Sequence, residues 1–158
     1  MKVRIKKLHP DAIIPKYAHD DDAGLDLTAV SMYYDTHGNI CYGTGLAFEI
    51  PRGYVGLVFP RSSCAHKQQC LANAVAVIDS GYRGEVVMKF KPSLALDRGQ
   101  CVTDRLTYGT YNVGDRVAQM IIMPYPYIEF EEADELSVTE RGSGSYGSTG
   151  LWDGIKEW

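Results

Sequence analysis

The stretch Asn73-Ala-Val-Ala-Val-Ile-Asp-Ser-Gly-Tyr-Arg-Gly-Glu85 constrains this chain more than any other. A β-branched apolar run ends at Ser80-Gly81, and a second apolar run, Val86-Val-Met88, follows. Two such runs around a two-residue turn with glycine predict a tight β-hairpin. In that hairpin the carboxylate of Asp79 and the phenol of Tyr82 become cross-strand neighbours on one face of the tip. A base beside a flat ring, next to strand backbone, is what a pocket for a heterocycle and its reacting group requires. An ordinary exposed tip uses the same residues, because Asp, Ser and Gly serve turns on their own account.

The rest of the chain reads in the same way. Lys2 to Lys6 alternates charge with Val3 and Ile5, a half-buried strand pattern. Gly45 to Ile50 and Gly53 to Phe59 are two strands around Pro51-Arg52-Gly53. Met88 to Phe90 continues a strand, and Lys91 to Asn112 holds two short strands with an extended connection. Val113 to Pro124 is a central strand, and Tyr125 to Phe130 is one more. Ser62 to Leu71 is the best helix candidate and a short one, so the class is all-β.

Several polar residues stand where packing alone would not put them. Asp26, between Leu25 and Leu27 in an apolar strand, needs a partner or a metal-bound water. Arg61-Ser62-Ser63 directly follows a strand and makes a plausible phosphate cradle. The same residues suit a helix start with Ser62 or Ser63 as N-cap, and the two readings are compatible. Asp115 and Arg116 read as structural ion-pairing residues, while Gln119, between Ala118 and Met120, is the more interesting polar group. Residues 131–140 are acidic, and Arg141-Gly-Ser-Gly-Ser-Tyr-Gly-Ser-Thr-Gly150 is either a linker or an arm able to close over a phosphorylated nucleoside.

Composition limits the function classes. At 158 residues the chain is most simply one domain with a real core, and 45% hydrophobic with 23% charged residues favours neither disorder nor a fibrous class. No apolar run approaches the roughly 20 residues of a membrane span. The charged start, Met1 to Lys7, has no apolar region after it and is no secretory signal, so a cytoplasmic address is expected. Cys41, Cys64, Cys70 and Cys101 lack zinc-site spacing and are expected to be reduced packing residues. A net charge of −4 argues against general nucleic-acid affinity but not against one small anion held by a few arginines.

Five separated stretches resemble, in order, the motifs of the trimeric dUTP pyrophosphatase (dUTPase) family. They are Ala23 to Ala29, Pro60 to Ser63, Asn73 to Glu85, Gly114 to Met120, and Arg141 to Gly150. The resemblance implies a distorted jelly-roll or β-clip barrel with one short helix, forming a homotrimer in which the arm is exchanged. It places a β domain at 1–140 and the arm at 141–158. The implied reaction is hydrolysis of dUTP to dUMP and pyrophosphate with Mg²⁺, which limits uracil in DNA and supplies dUMP. Asp79 matches the carboxylate acting on the attacking water, and Tyr82 the ring under the deoxyribose. Asn73 and the main chain at Val77 and Ile78 match the uracil-reading edge. Arg61, Ser62, Ser63 and Gln119 match phosphate contacts, and Asp26 an acid holding water on the metal. Arg141, Tyr146, Gly147, Ser148 and Thr149 match the arm over the base and γ-phosphate.

The chain departs from the pattern at Ala76, where glycine is usual, and at Gly144-Ser145-Tyr146, where Gly-Gly-Phe is usual. Two rivals remain. A dCTP deaminase has a similar fold but needs a glutamate five residues beyond the last glycine of the hairpin, where this chain has Lys89. A regulatory binding module on the same scaffold would use the long segment 91–112 as a protein-contacting surface.

Overall fold

The computed structural model describes residues 1–67, 69–92, 96–97, 100–101 and 109–145. The strands are β1 (Arg4–Lys7), β2 (Leu25–Thr28), β3 (Ser31–Tyr34), β4 (Ile40–Gly43), β5 (Leu46–Glu49) and β6 (Tyr54–Pro60). After a 3-10 turn (Ser62–His66) come β7 (Gln69–Leu71), β8 (Ala76–Ile78), β9 (Val87–Pro92), β10 (Leu96–Asp97), β11 (Gln100–Cys101) and β12 (Arg116–Pro124). One four-stranded sheet runs β2-β12-β6-β8 and a second runs β3-β4-β9-β7, with β1-β5 and β10-β11 as separate pairs.

Alternation along the strands gives the two sheets a common core. Leu27, Val58, Val117 and Met120 from the first sheet meet Ile40, Tyr42, Met88 and Phe90 from the second. Leu46, Phe48 and Ile50, in and just after β5, join the same cluster. Burying one such side chain contributes about 1.5–3 kcal/mol, so this shared cluster is the main force holding sheet to sheet. The result is all-β, as the strand pattern predicts, and jelly-roll-like, as the resemblance implies. The chain packs as two units, Met1–Tyr127 and Ile128–Trp158. In the second, the described residues form turns, with Gly142 N–H donating to Thr139 O and Gly144 N–H to Arg141 O.

Three local expectations give way. The run Asn73–Glu85 is not half of a hairpin with Val86–Met88: β8 pairs with β6, while β9 pairs with β4 and β7 in the other sheet. The turn at Ser80-Gly81 is real, closed by Tyr82 N–H on Asp79 O at 3.0 Å, but it starts a crossing between sheets. Gly56 lets β8 come close, since a Cβ there would lie 3.3 Å from Ile78 Cβ. The helix expected over Ser62–Leu71 is a five-residue 3-10 turn, because Gln69–Leu71 gains a full ladder on β9 as β7. Neither serine caps it; Arg61 holds that position without a side-chain bond. Tyr125–Phe130 forms no strand, for Pro124 and Pro126 lack the N–H that would continue the ladder. The two short strands expected in 91–112 are β10 and β11; much of that segment lies outside the described residues.

Candidate active site

The register of the first sheet brings distant motifs into one row. Asp26 on β2 sits opposite Gln119 on β12, which sits opposite Phe59 on β6. Opposed residues point to the same face, so the acid, the amide and the ring share the outward side. Arg116 reaches that side by a different device. In a regular strand, residues three apart face opposite ways. The β12–β2 register shifts between Arg116 and Ala118, so Val117 is an extra, bulged residue. Val117 and Ala118 are both fully buried, and Arg116 emerges on the face of Gln119.

These residues line an open cleft of about 780 Å³. Asp26 is its electrostatic centre. One carboxylate oxygen accepts Arg61 Nε at 2.6 Å and the other accepts Arg116 Nη1 at 2.9 Å. With Asp22 also in the lining, two cations balance two anions, and it is the paired guanidinium donors rather than net charge that suit the wall to phosphate. Asp26 thus has the partners its sequence position demanded. Gln119 donates through Nε2 to Pro60 O at 3.0 Å, and Gly24 leaves room for its Oε1, which a Cβ there would meet at 2.6 Å. Ser62 lines the cleft. Ser63 does not: its hydroxyl lies 3.1 Å from Tyr111 Oη, away from the wall.

Arg116, His19 and Asp22 also line this cleft and were not singled out as site residues by sequence reasoning. Arg116 was legible as an ion-pairing residue, but the bulge that aims it has no sequence signature. His19 and Asp22 belong to a short loop closed by Asp22 Oδ2 accepting His19 N–H at 2.9 Å.

Asp79 and Tyr82 stand elsewhere on the sheet. Ile78 pairs with Gly56, three residues along β6 from the Asp26 row and three strands across from Asp26. At ~3.3 Å per residue and ~4.8 Å per strand, Ile78 lies about 17 Å from Asp26. Asp79 follows it and is exposed, and Tyr82 is 44% exposed. The turn is held by its own chain: Tyr82 Oη donates to Glu85 O at 2.9 Å, and Arg83 Nη1 to Ser80 O at 2.7 Å. Asn73 is exposed beside Ala74, whose φ of 57° marks a tight turn into β8. Val77 and Ile78 lie in β8 as expected.

The dUTPase family model matches residues 10–103 and 107–150. The chain belongs to the dUTPase family. A deoxyuridine 5'-triphosphate nucleotidohydrolase from Gloeothece citriformis is 39% identical over 157 residues, covering 96% of this chain and 98% of that one. A variant dUTPase of Staphylococcus bacteriophage 80alpha, solved with dUpNHpp, aligns with a TM-score of 0.77 at 26% identity, covering 95% of this chain and 99% of that one. A variant dUTPase of the S. aureus phage phi11, with a structural Mg(II) ion, aligns with a TM-score of 0.68 at 27% identity over 85% and 98% of the two chains.

The dUTPase assignment removes the deaminase rival, and Lys89 agrees. It sits on β9 in the second sheet, with Nζ 3.0 Å from Asp35 Oδ2. No group of three or more His, Cys, Asp or Glu among the described residues could hold a metal directly. What fits is an ion that arrives with a triphosphate and keeps its waters. Each Asp26 oxygen accepts one guanidinium donor and retains capacity for a water. Arg141 donates through Nε to Gly144 O at 3.1 Å within its own turn. Tyr146, Gly147, Ser148 and Thr149 lie outside the described residues. No helix among the described residues is long and apolar enough to cross a membrane.

Proposed function

We propose that this chain hydrolyses dUTP to dUMP and pyrophosphate in the cytoplasm, in sites shared between the copies of a homotrimer. The observation that carries this is the split geometry: the arginine-bearing cleft at Asp26 and the Asp79–Tyr82 turn occupy two ends of one sheet face. Within one copy the start of the Asp79 turn lies about 17 Å from Asp26, across the apolar side chains of Leu57 and Phe59. In this reading Asp79 of one copy works with the cleft of another. The same face supplies the contact. Leu57, Phe59 and Ile121 are only half-buried on it, and Val77 is 59% exposed.

In this reading Asp79 orients water and takes its proton as the oxygen attacks the α-phosphorus. The bond to the bridging oxygen breaks and pyrophosphate leaves. General-base help of this kind contributes on the order of 10²–10⁴ in rate. Arg61, Ser62, Gln119 and Arg116 bind the phosphate oxygens and the charge that develops on the leaving group. Asp26 holds both guanidiniums in place before substrate arrives and binds a water of the ion. Mg²⁺, bound with the triphosphate, supplies charge neutralisation. Tyr82 packs under the deoxyribose, and Asn73 with the Val77 and Ile78 main chain reads uracil. Arg141 and the arm from Tyr146 to Thr149 cover the bound nucleotide.

Pyrophosphate release from dUTP, compared with dCTP, dTTP and UTP, tests the activity. Sharing is tested by mixing Asp79→Asn and Arg61→Ala chains, each inactive alone, under conditions that exchange subunits. Activity returns if a site takes Asp79 and Arg61 from different copies. Mixtures that stay silent would refute the shared site.

A further inference from the structure

Beneath the phosphate cleft lies a set of joined polar groups that hydrolysis does not use. Tyr111 is 2% exposed, and its ring packs edge-on against Tyr42 and Phe90 with centroids 5.9 Å from each. Its backbone N–H donates to the Tyr42 hydroxyl at 3.2 Å, which donates in turn to Gln69 Oε1 at 3.1 Å. Gln69 Nε2 is buried with no partner among the described residues. A core built for stability alone would put an apolar side chain there. Burial pushes the Tyr111 and Tyr42 phenols above the usual tyrosine value, so both keep their protons at neutral pH.

At its outer end Tyr111 meets the 3-10 turn. Its hydroxyl lies 3.1 Å from Ser63 Oγ, and Lys67 Nζ donates to Thr110 O at 3.0 Å while standing 5.0 Å over the Tyr111 ring. That turn has no side-chain cap and no fully buried residue of its own, and its other tie is Cys64, which packs on the core and donates through Sγ to Gln69 O at 3.3 Å. Arg61 and Ser62 stand immediately before Ser63. Beyond Tyr111, a turn closed by Asn112 N–H on Asp115 Oδ2 at 2.8 Å leads to Arg116. The two hydroxyls therefore meet where two walls of the cleft begin.

We propose that Ser63 and Tyr111 form a half-buried positioning latch, which fixes Arg61 and Ser62 at a set spacing from Arg116 so that a pyrophosphate group meets a preformed cradle. The latch rests on the phosphate role given to that cleft in the proposed function. Neither residue touches the ligand through its side chain; each acts through the turn it holds.

The test uses Tyr111→Phe and Ser63→Ala in the full chain, with three readouts. These are the affinity for inorganic pyrophosphate with Mg²⁺ by calorimetry, KM and kcat for dUTP, and the thermal midpoint. Losing the hydroxyl pair weakens pyrophosphate binding and raises KM by about tenfold, with kcat nearly unchanged. The double variant is no worse than either single one, because both remove the same bond. Ser63→Thr, which keeps the hydroxyl, restores affinity. Thr44→Val is the reference for stability alone. It removes a buried hydroxyl that donates to Val86 O at 2.8 Å away from the cleft, and it lowers the midpoint without moving affinity. Pyrophosphate affinity in Tyr111→Phe equal to that of Thr44→Val, or losses that add in the double variant, would overturn the latch. A wild type that binds pyrophosphate but leaves dUTP intact would sink the hydrolytic reading alone, since calorimetry still decides the latch.

Discussion

Asp26 takes its two arginines from positions 35 and 90 residues further along the chain, whereas the Asp79 turn is tied by bonds from Tyr82 and Arg83 that span three residues. The cleft therefore exists only once β2, β6 and β12 have assembled. The turn can form from its own sequence and stands exposed. In the proposed function, the groups that meet a highly charged triphosphate are fixed by the whole fold, and the group that meets water is offered on a self-supporting projection.

The largest expected effect breaks the two regions apart by function. Asp79→Asn lowers dUTP turnover by on the order of 10²–10⁴ and leaves the thermal midpoint in place, because an exposed turn residue holds up nothing. A midpoint drop in calorimetry would show that the turn is not self-supporting. Asp26→Asn does the reverse. Two guanidiniums lose their counter-charge, which costs about 1–3 kcal/mol of stability and lowers the midpoint by several degrees. It also raises KM, since the carboxylate bridge between Arg61 and Arg116 is then lost.

Two glycines sharpen the same contrast. Gly24→Ala pushes its new Cβ against Gln119 Oε1, and Gly84→Ala pushes one against the Tyr82 ring, 2.6 Å from Cζ. Both obstacles are side chains that can swing, so stability changes little. Each raises KM for dUTP by about fivefold, equivalent to ~1 kcal/mol. Only Gly24→Ala weakens inorganic pyrophosphate, because the proposed function gives phosphate to the cleft alone. Equal pyrophosphate affinity in the two variants would contradict this division.

The smallest effect belongs to a pair outside both regions. Hydrogen bonds from Asn39, then Lys89, hold the Asp35 carboxyl well below the usual carboxylate range, and Asp35 raises Lys89. A depressed carboxyl contributes stability above its ordinary value, lost as pH falls through the depressed one. A raised lysine contributes below its ordinary value, lost as pH rises through the raised one. The midpoint difference between wild type and Asp35→Asn is therefore flat from about pH 5 to 10 and shrinks in strong acid. dUTP kinetics stay unchanged throughout.

The sequence made the strands of β6, β9 and β12 legible, because their β-branched runs fit only a pleated, largely buried surface. The partners of those strands were not legible. Ser80-Gly81 announces a turn, but nothing local says that Ile78 will lie on Gly56 rather than opposite Val86 or Val87. β3 escaped notice because Met32, Tyr33 and Tyr34 are all exposed and show no alternation. For the site, the need of Asp26 for a partner was plain from Leu25 and Leu27, whereas its arginines and the inward turn of Ser63 depend on contacts across the fold.

The extra residue at Val117 makes this enzyme sensitive to length as well as to identity. Deleting one residue there would return β12 to strict alternation and swing the Arg116 guanidinium towards the oily interior. The change falls inside the Gly114–Met120 signature yet keeps every charged and polar residue of it. The cleft would nonetheless lose a cation, so counting residues along that strand is as informative as naming them.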